Sequence, residues 1–237
     1  PTGYDFPNNG WSLFISFFFS IFHSSNILDY MDLQRYLSIS ISVLTVIPVY
    51  FLCQRFVEKQ YCLFGAVLFV FDPRIIQNSL FGDTQPLFIF LGAISLATFF
   101  SKNMKIVYFS FGVTAMLALV RYEGLLLIAP FAIMYLVRFR KEDKIILKFC
   151  VAIAIFLLVM VPASYIRVQS EGHDGLTSQI VGGVVATDTL MKADNEKGGV
   201  NFIINGFVNL SRFLGWVLIP IFVFFVPYKN SLRVNYF

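Results

Sequence analysis

The chain has 237 residues, of which 57% are apolar and only 14% charged, and its net charge is +4. Soluble domains carry about 25% charged residues, and a soluble core could not hide this much Phe, Ile, Leu and Val. A bilayer can, given spans of roughly 20 apolar residues, and the mean hydropathy of +0.74 points there. The basic balance does not mark a nucleic-acid binder, because the bases sit at the ends of apolar runs, as cytoplasmic anchors do. The three cysteines, Cys53, Cys62 and Cys150, lie in or beside apolar segments and read as small buried residues, not as a disulfide framework or thiolate metal site. The first residue is Pro1, not Met, and the chain reads as a piece of a longer protein.

Trp11 to Phe22 is apolar but only about 12 residues long, too short to cross the hydrocarbon core. After Pro7-Asn8-Asn9-Gly10 it suits a membrane-parallel helix with Trp11 at headgroup depth. His23 to Gln34 is a polar link, so residues 1–35 form an outer loop with a juxtamembrane helix. Arg35 then opens the first span, which runs to Gln54 with a kink at Pro48. Tyr61 to Phe71 is a shorter apolar run, ended by Asp72-Pro73-Arg74. Pro86 to Phe100, Ile106 to Val120, Gly124 to Val137 and Ile145 to Ile166 are the next spans, with residues 72–85 and Arg121-Tyr122-Glu123 as connections. Residues 167–201 form one long polar outer loop, and Phe202 to Val226 is the last span. The expected fold class is all-α: a single polytopic transmembrane domain over residues 1–237, with about seven spans.

The charges separate by sign across this arrangement. One set of connections holds the eleven bases Arg55, Lys59, Lys102, Lys105, Arg138, Arg140, Lys141, Lys144, Lys148, Lys229 and Arg233. Against them stand Glu58, Glu142 and Asp143, a net of +8. The alternate connections and the N-terminal stretch hold eleven acids and seven bases, a net of −4. The basic face is then cytoplasmic and the acidic face extracytoplasmic.

Arg121-Tyr122-Glu123 is the sharpest local feature on the acidic side. A charged pair between two apolar helices must face water, a partner or an anion. It is either a phosphate clamp, with Glu123 orienting Arg121 towards a lipid phosphate, or an ordinary interfacial ion pair. Asp83, in Phe81-Gly82-Asp83-Thr84-Gln85-Pro86, is either a helix cap or an acid that binds a sugar hydroxyl or a metal. Arg35 at a helix start would oppose the helix dipole, which a phosphate partner or snorkelling to headgroups would explain. Arg74 has Asp72 beside it as a pairing partner. Glu171, His173 and Asp174 are the single His/carboxylate cluster and a poor metal site, since ligands should converge from separate elements. No P-loop, dinucleotide fingerprint, nucleophile elbow or zinc-protease motif occurs.

The order of motifs carries more than any one of them. Pro7-Asn8-Asn9-Gly10-Trp11-Ser12-Leu13-Phe14, Leu33-Gln34-Arg35-Tyr36-Leu37, Cys53-Gln54-Arg55-Phe56, Phe81-Gly82-Asp83-Thr84-Gln85-Pro86-Leu87 and Arg121-Tyr122-Glu123-Gly124-Leu125-Leu126 follow one another. This order resembles the GT-C superfamily of polytopic glycosyltransferases, in its branch similar to dolichyl-phosphate-mannose protein mannosyltransferases and aminoarabinose transferases, and most of all its archaeal members. The resemblance implies transfer of a hexose such as mannose from a polyprenyl- or dolichyl-phosphate donor to a protein or lipid acceptor, at the extracytoplasmic face of the cell membrane. It implies donor-phosphate binding by Arg35, Arg121 and Glu123, and makes Asp83, an acid heading a helix, the candidate catalytic residue within this chain. The family's main catalytic Asp, after the first transmembrane helix, would lie upstream of Pro1; Asp5, in Tyr4-Asp5-Phe6, does not match that motif. The family admits a divalent metal of unknown identity, and the partners implied are membrane lipids, the lipid-linked donor and the acceptor. A transporter and a non-catalytic lipid-binding protein are the alternative readings; the charges at span ends, not at the midplane, disfavour transport.

Overall fold

The computed structural model describes residues 9–171, which all fall in the first of the chain's two units, Pro1–Ser178. Among the described residues the regular structure is helical, without strands: α1 (Asn9–Ile21), α2 (Ile27–Leu44), α3 (Val46–Cys53), α4 (Lys59–Val70), α5 (Pro73–Phe81), α6 (Gln85–Phe99), α7 (Met104–Val120), a short 3₁₀ helix (Tyr122–Leu127), α8 (Ile128–Arg138) and α9 (Ile145–Glu171). The all-α expectation holds for this part of the chain. The expected span Phe202 to Val226 and the loop beyond Glu171 lie outside the described residues.

Among the described residues two stretches are long and apolar enough to cross a membrane: Ile27–Cys53, which is α2 with α3, and Ile145–Ile166 within α9. Only 22% and 17% of their most apolar windows are buried. A helix at the centre of a soluble core would be mostly covered, so this uncovered apolar surface favours association with a membrane. The other apolar helices, α1, α4, α6 and α7, have 12 to 17 residues. At 1.5 Å per residue the longest reaches about 25 Å, short of a roughly 30 Å hydrocarbon core.

Four features differ from the sequence expectation. Residues 23–34 are not a polar link throughout. The Asn26 side chain accepts the Leu28 N–H at 3.1 Å and caps α2, and Asp29 sits favourably in the first turn. Arg35 is therefore more than two turns inside a helix, so the dipole gives no reason for its position. The α2–α3 stretch is 27 residues long, about 40 Å, which exceeds a hydrocarbon core of roughly 30 Å, and its polar residues Asp29, Asp32 and Arg35 lie in its first three turns. Near Pro48, where a kink is expected, the helix is interrupted at Thr45, beside the Leu44 carbonyl that proline leaves unbonded. The 72–85 connection contains α5: Asp72 accepts the N–H groups of Arg74 and Ile75 at 2.8 and 3.3 Å, Pro73 takes the first turn, and Gly82 closes the helix in the left-handed region at φ +70°. Asp72 thus caps a helix. Residues 167–171, expected in the outer loop, instead continue α9.

The core forms where α6, α7, α8 and α9 meet. Phe99, Phe111, Phe131 and Tyr135 are buried there with Ala115, Ala118 and Ala152, and the rings of Phe99 and Phe131 stack with centroids 4.1 Å apart. Alanines opposite aromatic rings let the helices approach closely while the rings fill the gaps. Between α6 and α7 the buried hydroxyls of Ser95 and Thr114 share a hydrogen bond of 2.5 Å, and Ser95 also reaches the Ser110 carbonyl at 3.3 Å. Small hydroxylated residues of this kind join apolar helices where no water can satisfy them. A second cluster, Trp11, Ile15, Ile41, Leu87 and Val120, ties α1 to α2, α6 and α7.

Candidate functional site

The chain order of α6 and α7 puts the start of α6 beside the end of α7. α2 packs against both α5 and α6, which brings three connections to one end of the bundle. Gly82 has the left-handed backbone that L side chains avoid. A Cβ there would stand 3.2 Å from Cγ of Gln34 and 3.6 Å from both Cγ and the backbone nitrogen of Arg35. Gln34 Nε2 donates to the Gly82 carbonyl at 2.5 Å, so α2 grips the turn that carries Asp83.

Arg121 ends α7 in an extended conformation. Its guanidinium donates twice to Glu123, from Nη2 to Oε1 at 2.6 Å and from Nε to Oε2 at 3.3 Å. This two-pronged geometry is the strong form of the Arg–carboxylate pair. The same guanidinium lies over the Phe88 ring, 5.7 Å from its centroid, a cation–π placement. The bond from Arg121 holds the Glu123 carboxyl below the usual glutamate range. That hydrogen bond in turn raises Arg121, with smaller contributions from the negative charges of Glu123 and Asp83. Asp83, an exposed side chain, is therefore within electrostatic reach of the pair.

Asp83 does not cap α6. Its Oδ1 accepts the N–H of its neighbour Thr84 at 2.6 Å, and Thr84, not Asp83, stands at the cap position of α6. Among the described residues no donor meets Oδ2 of Asp83, so one carboxylate oxygen faces outward. Arg35 touches this region through Gly82, but its guanidinium goes to Asp32 at 3.3 Å, both side chains being more than half exposed. Of the four candidate residues, Arg121 and Glu123 pair directly, the charge of Asp83 acts on Arg121, and Arg35 lies beside the Gly82 turn.

Two residues that hold the group in place were not singled out from the sequence. A Cβ on Gly124 would come within 2.8–3.0 Å of backbone atoms of Leu117 and Ala118, and one on Gly10 within 2.7 Å of backbone at Leu119 and Val120. The last turn of α7 is thus pressed by the 3₁₀ helix and by the start of α1, at contacts that admit only glycine. Their sequence signal was each glycine's place beside a charged or aromatic motif: Gly10 before Trp11 and Gly124 after Glu123.

The opposite end is basic, and one of its bases has a structural duty. Arg138, at the end of α8, donates to the carbonyls of Phe99 at 2.6 Å and Ser101 at 2.7 Å, occupying the free carbonyls at the end of α6. Among the described residues no group of three His, Cys, Asp or Glu side chains is placed to hold a metal ion. His173 and Asp174 lie outside the described residues, and Glu171 is the last of them. No protein-family model, curated protein or solved structure matches the chain.

Proposed function

We propose that the chain is a multi-pass membrane glycosyltransferase that moves a hexose from a polyprenyl-phosphate donor to a hydroxyl acceptor at its acidic, extracytoplasmic end. The observation that carries this reading is the Arg121–Glu123 pair beside Asp83, fixed by glycine contacts at the mouth of an apolar bundle. Transfer forms a C–O bond at the anomeric carbon and breaks the bond from that carbon to the phosphate oxygen. The departing lipid phosphate keeps the electron pair, and the acceptor hydroxyl gives up its proton. The phosphate needs a fixed cation, and the hydroxyl needs a carboxylate.

The two carboxylates suit different parts. Glu123 accepts from Arg121 on both oxygens and is held in its charged form, so it is a poor proton acceptor and a good positioning residue. Asp83 keeps one oxygen free and is the carboxylate that can meet a sugar or acceptor hydroxyl. Arg121, preorganised by Glu123 and Phe88, supplies the cation without reorganising during the reaction. Arg35, on the neighbouring helix, adds positive charge to the approach of the lipid phosphate.

Kinetics of the full-length protein in membranes test this assignment. Arg121→Ala is expected to raise the KM for donor or lower donor-dependent kcat/KM roughly ten- to hundred-fold, the weight of one charged hydrogen bond, while the acceptor KM changes little. Asp83→Asn is expected to lower kcat with folding intact. Unchanged donor dependence in Arg121→Ala would remove the phosphate role. Loss of stability alone in Asp83→Asn would reduce Asp83 to a turn residue.

A further inference from the structure

At the basic end, far from Arg121, a groove of about 400 Å³ runs between α3 and α6. Its walls are apolar over most of their length, with Leu44, Phe51, Phe90 and Ala97 among them, and Arg55 and Ser101 stand at one end. From Arg55 back to Leu44 the wall covers about 16 Å at helical rise. Its polar end adjoins the carbonyls that Arg138 caps, and the charges of Arg55 and Arg138 act on each other. Among the described residues no acid pairs with Arg55, and its side chain is exposed. Ser101 Oγ accepts the Asn103 N–H at 3.2 Å, which leaves its own proton available to an acceptor.

We infer that this groove holds one acyl chain of an anionic phospholipid from the cytoplasmic leaflet, with the lipid phosphate at Arg55 and Ser101. Size and charge select this occupant. The apolar length of about 16 Å matches a stretch of one acyl chain, and the volume falls in the range of sites for small ligands. The open cation at the mouth complements an anionic headgroup, and cytoplasmic leaflets are rich in such lipids. The length of α6, 15 residues or about 22 Å, separates this mouth from the Arg121 end, so the groove is a different site from the donor-phosphate site. The inference rests on the membrane placement and orientation in the proposed function and not on the transferase chemistry.

The test is lipid retention by the whole chain, reconstituted in vesicles of equimolar phosphatidylglycerol and phosphatidylcholine and then released into native mass spectrometry. Phosphatidylglycerol is expected to be retained in preference. Arg55→Ala should reduce that preference about five-fold, the weight of one base near an anionic surface, and Ala97→Phe should remove retained lipid of both kinds with helicity unchanged by circular dichroism. Equal retention of the two lipids by the unaltered chain, or an unchanged preference in Arg55→Ala, would overturn the inference. So would a disulfide between cysteines placed at Ile94 and within 202–226, which would mean that the chain's own segment fills the groove. None of these readouts needs sugar transfer, and a donor-site failure would appear separately in Arg121→Ala.

Discussion

Arg121 and Glu123 are two residues apart, and an ion pair that close in sequence is usually worth little when solvent reaches it. Here the side chains keep only 26% and 34% of their exposure, and Phe88 backs the guanidinium, so the pair fixes a direction for the cation. Its pH dependence follows from the lowered Glu123. A carboxylate with a depressed folded pKa contributes above its unfolded value, near 4.3 for glutamate, and its contribution is lost as pH falls through the lower folded value. Affinity for the sugar-bearing phosphodiester donor is therefore expected to stay level from neutral pH down to the ordinary glutamate range and to fall only below that range. Glu123→Gln, which cannot be titrated, should flatten that acid limb and weaken donor binding at neutral pH, as equilibrium binding of a polyprenyl-phosphate sugar, a phosphodiester that keeps one charge across this range, would report. The pair itself was legible from three consecutive letters, Arg121-Tyr122-Glu123. The link to Asp83 was not, because it depends on how α6 meets α7, a contact between residues almost forty positions apart.

Helix ends explain both what could be foreseen and what was missed. The apolar runs placed α4, α6, α7, α8 and the start of α9 to within a few residues, since hydrophobic runs between charged loops leave little freedom. α5 escaped notice because Asp72-Pro73-Arg74 is read as a break by a search for apolar runs, although Asp before Pro, followed nine residues later by Gly82, is also a helix start and stop. Likewise, the polar first turns of α2 read as a link, because Asp29 and Asp32 interrupt the apolar run that continues the helix. The glycine that ends α5 is open to test: Gly82→Ala forces an L residue to φ +70° and crowds Gln34. It is expected to cost about 1–2 kcal/mol and to loosen the turn carrying Asp83, with lower transfer at unchanged helix content. Arg138 was legible only as a membrane anchor, because its three carbonyl partners sit 37 to 39 residues away. Arg138→Ala is expected to lower the thermal midpoint, at about 1–2 kcal/mol for the lost charged hydrogen bonds, and Arg138→Lys to recover only part of it, since an ammonium cannot span the carbonyls as a guanidinium does. A full recovery with Lys would show that charge alone matters there.

Over the described part of the molecule, most of the bases sit at one end and most of the acids at the other end of a helical bundle whose two longest apolar helices are largely uncovered. The basic end is capped by Arg138 and lined by Arg55; the acidic end carries Asp83, Arg121 and Glu123, with α1 packed against it. If the bundle crosses a membrane in the orientation that the charge separation implies, a membrane-impermeant maleimide should label Tyr122→Cys from outside intact cells and should reach Lys102→Cys only after permeabilisation, in a background without Cys53, Cys62 and Cys150. Labelling of both from one side would contradict the multi-pass arrangement. The donor-phosphate assignment has a more direct test still. The full-length protein in sealed vesicles, given a radiolabelled sugar on a polyprenyl phosphate at the acidic face, is expected to pass the label to a hydroxyl acceptor and to lose most of that transfer in Arg121→Ala. Label that stays on the lipid in the presence of acceptor, or transfer that proceeds equally without Arg121, would contradict the account.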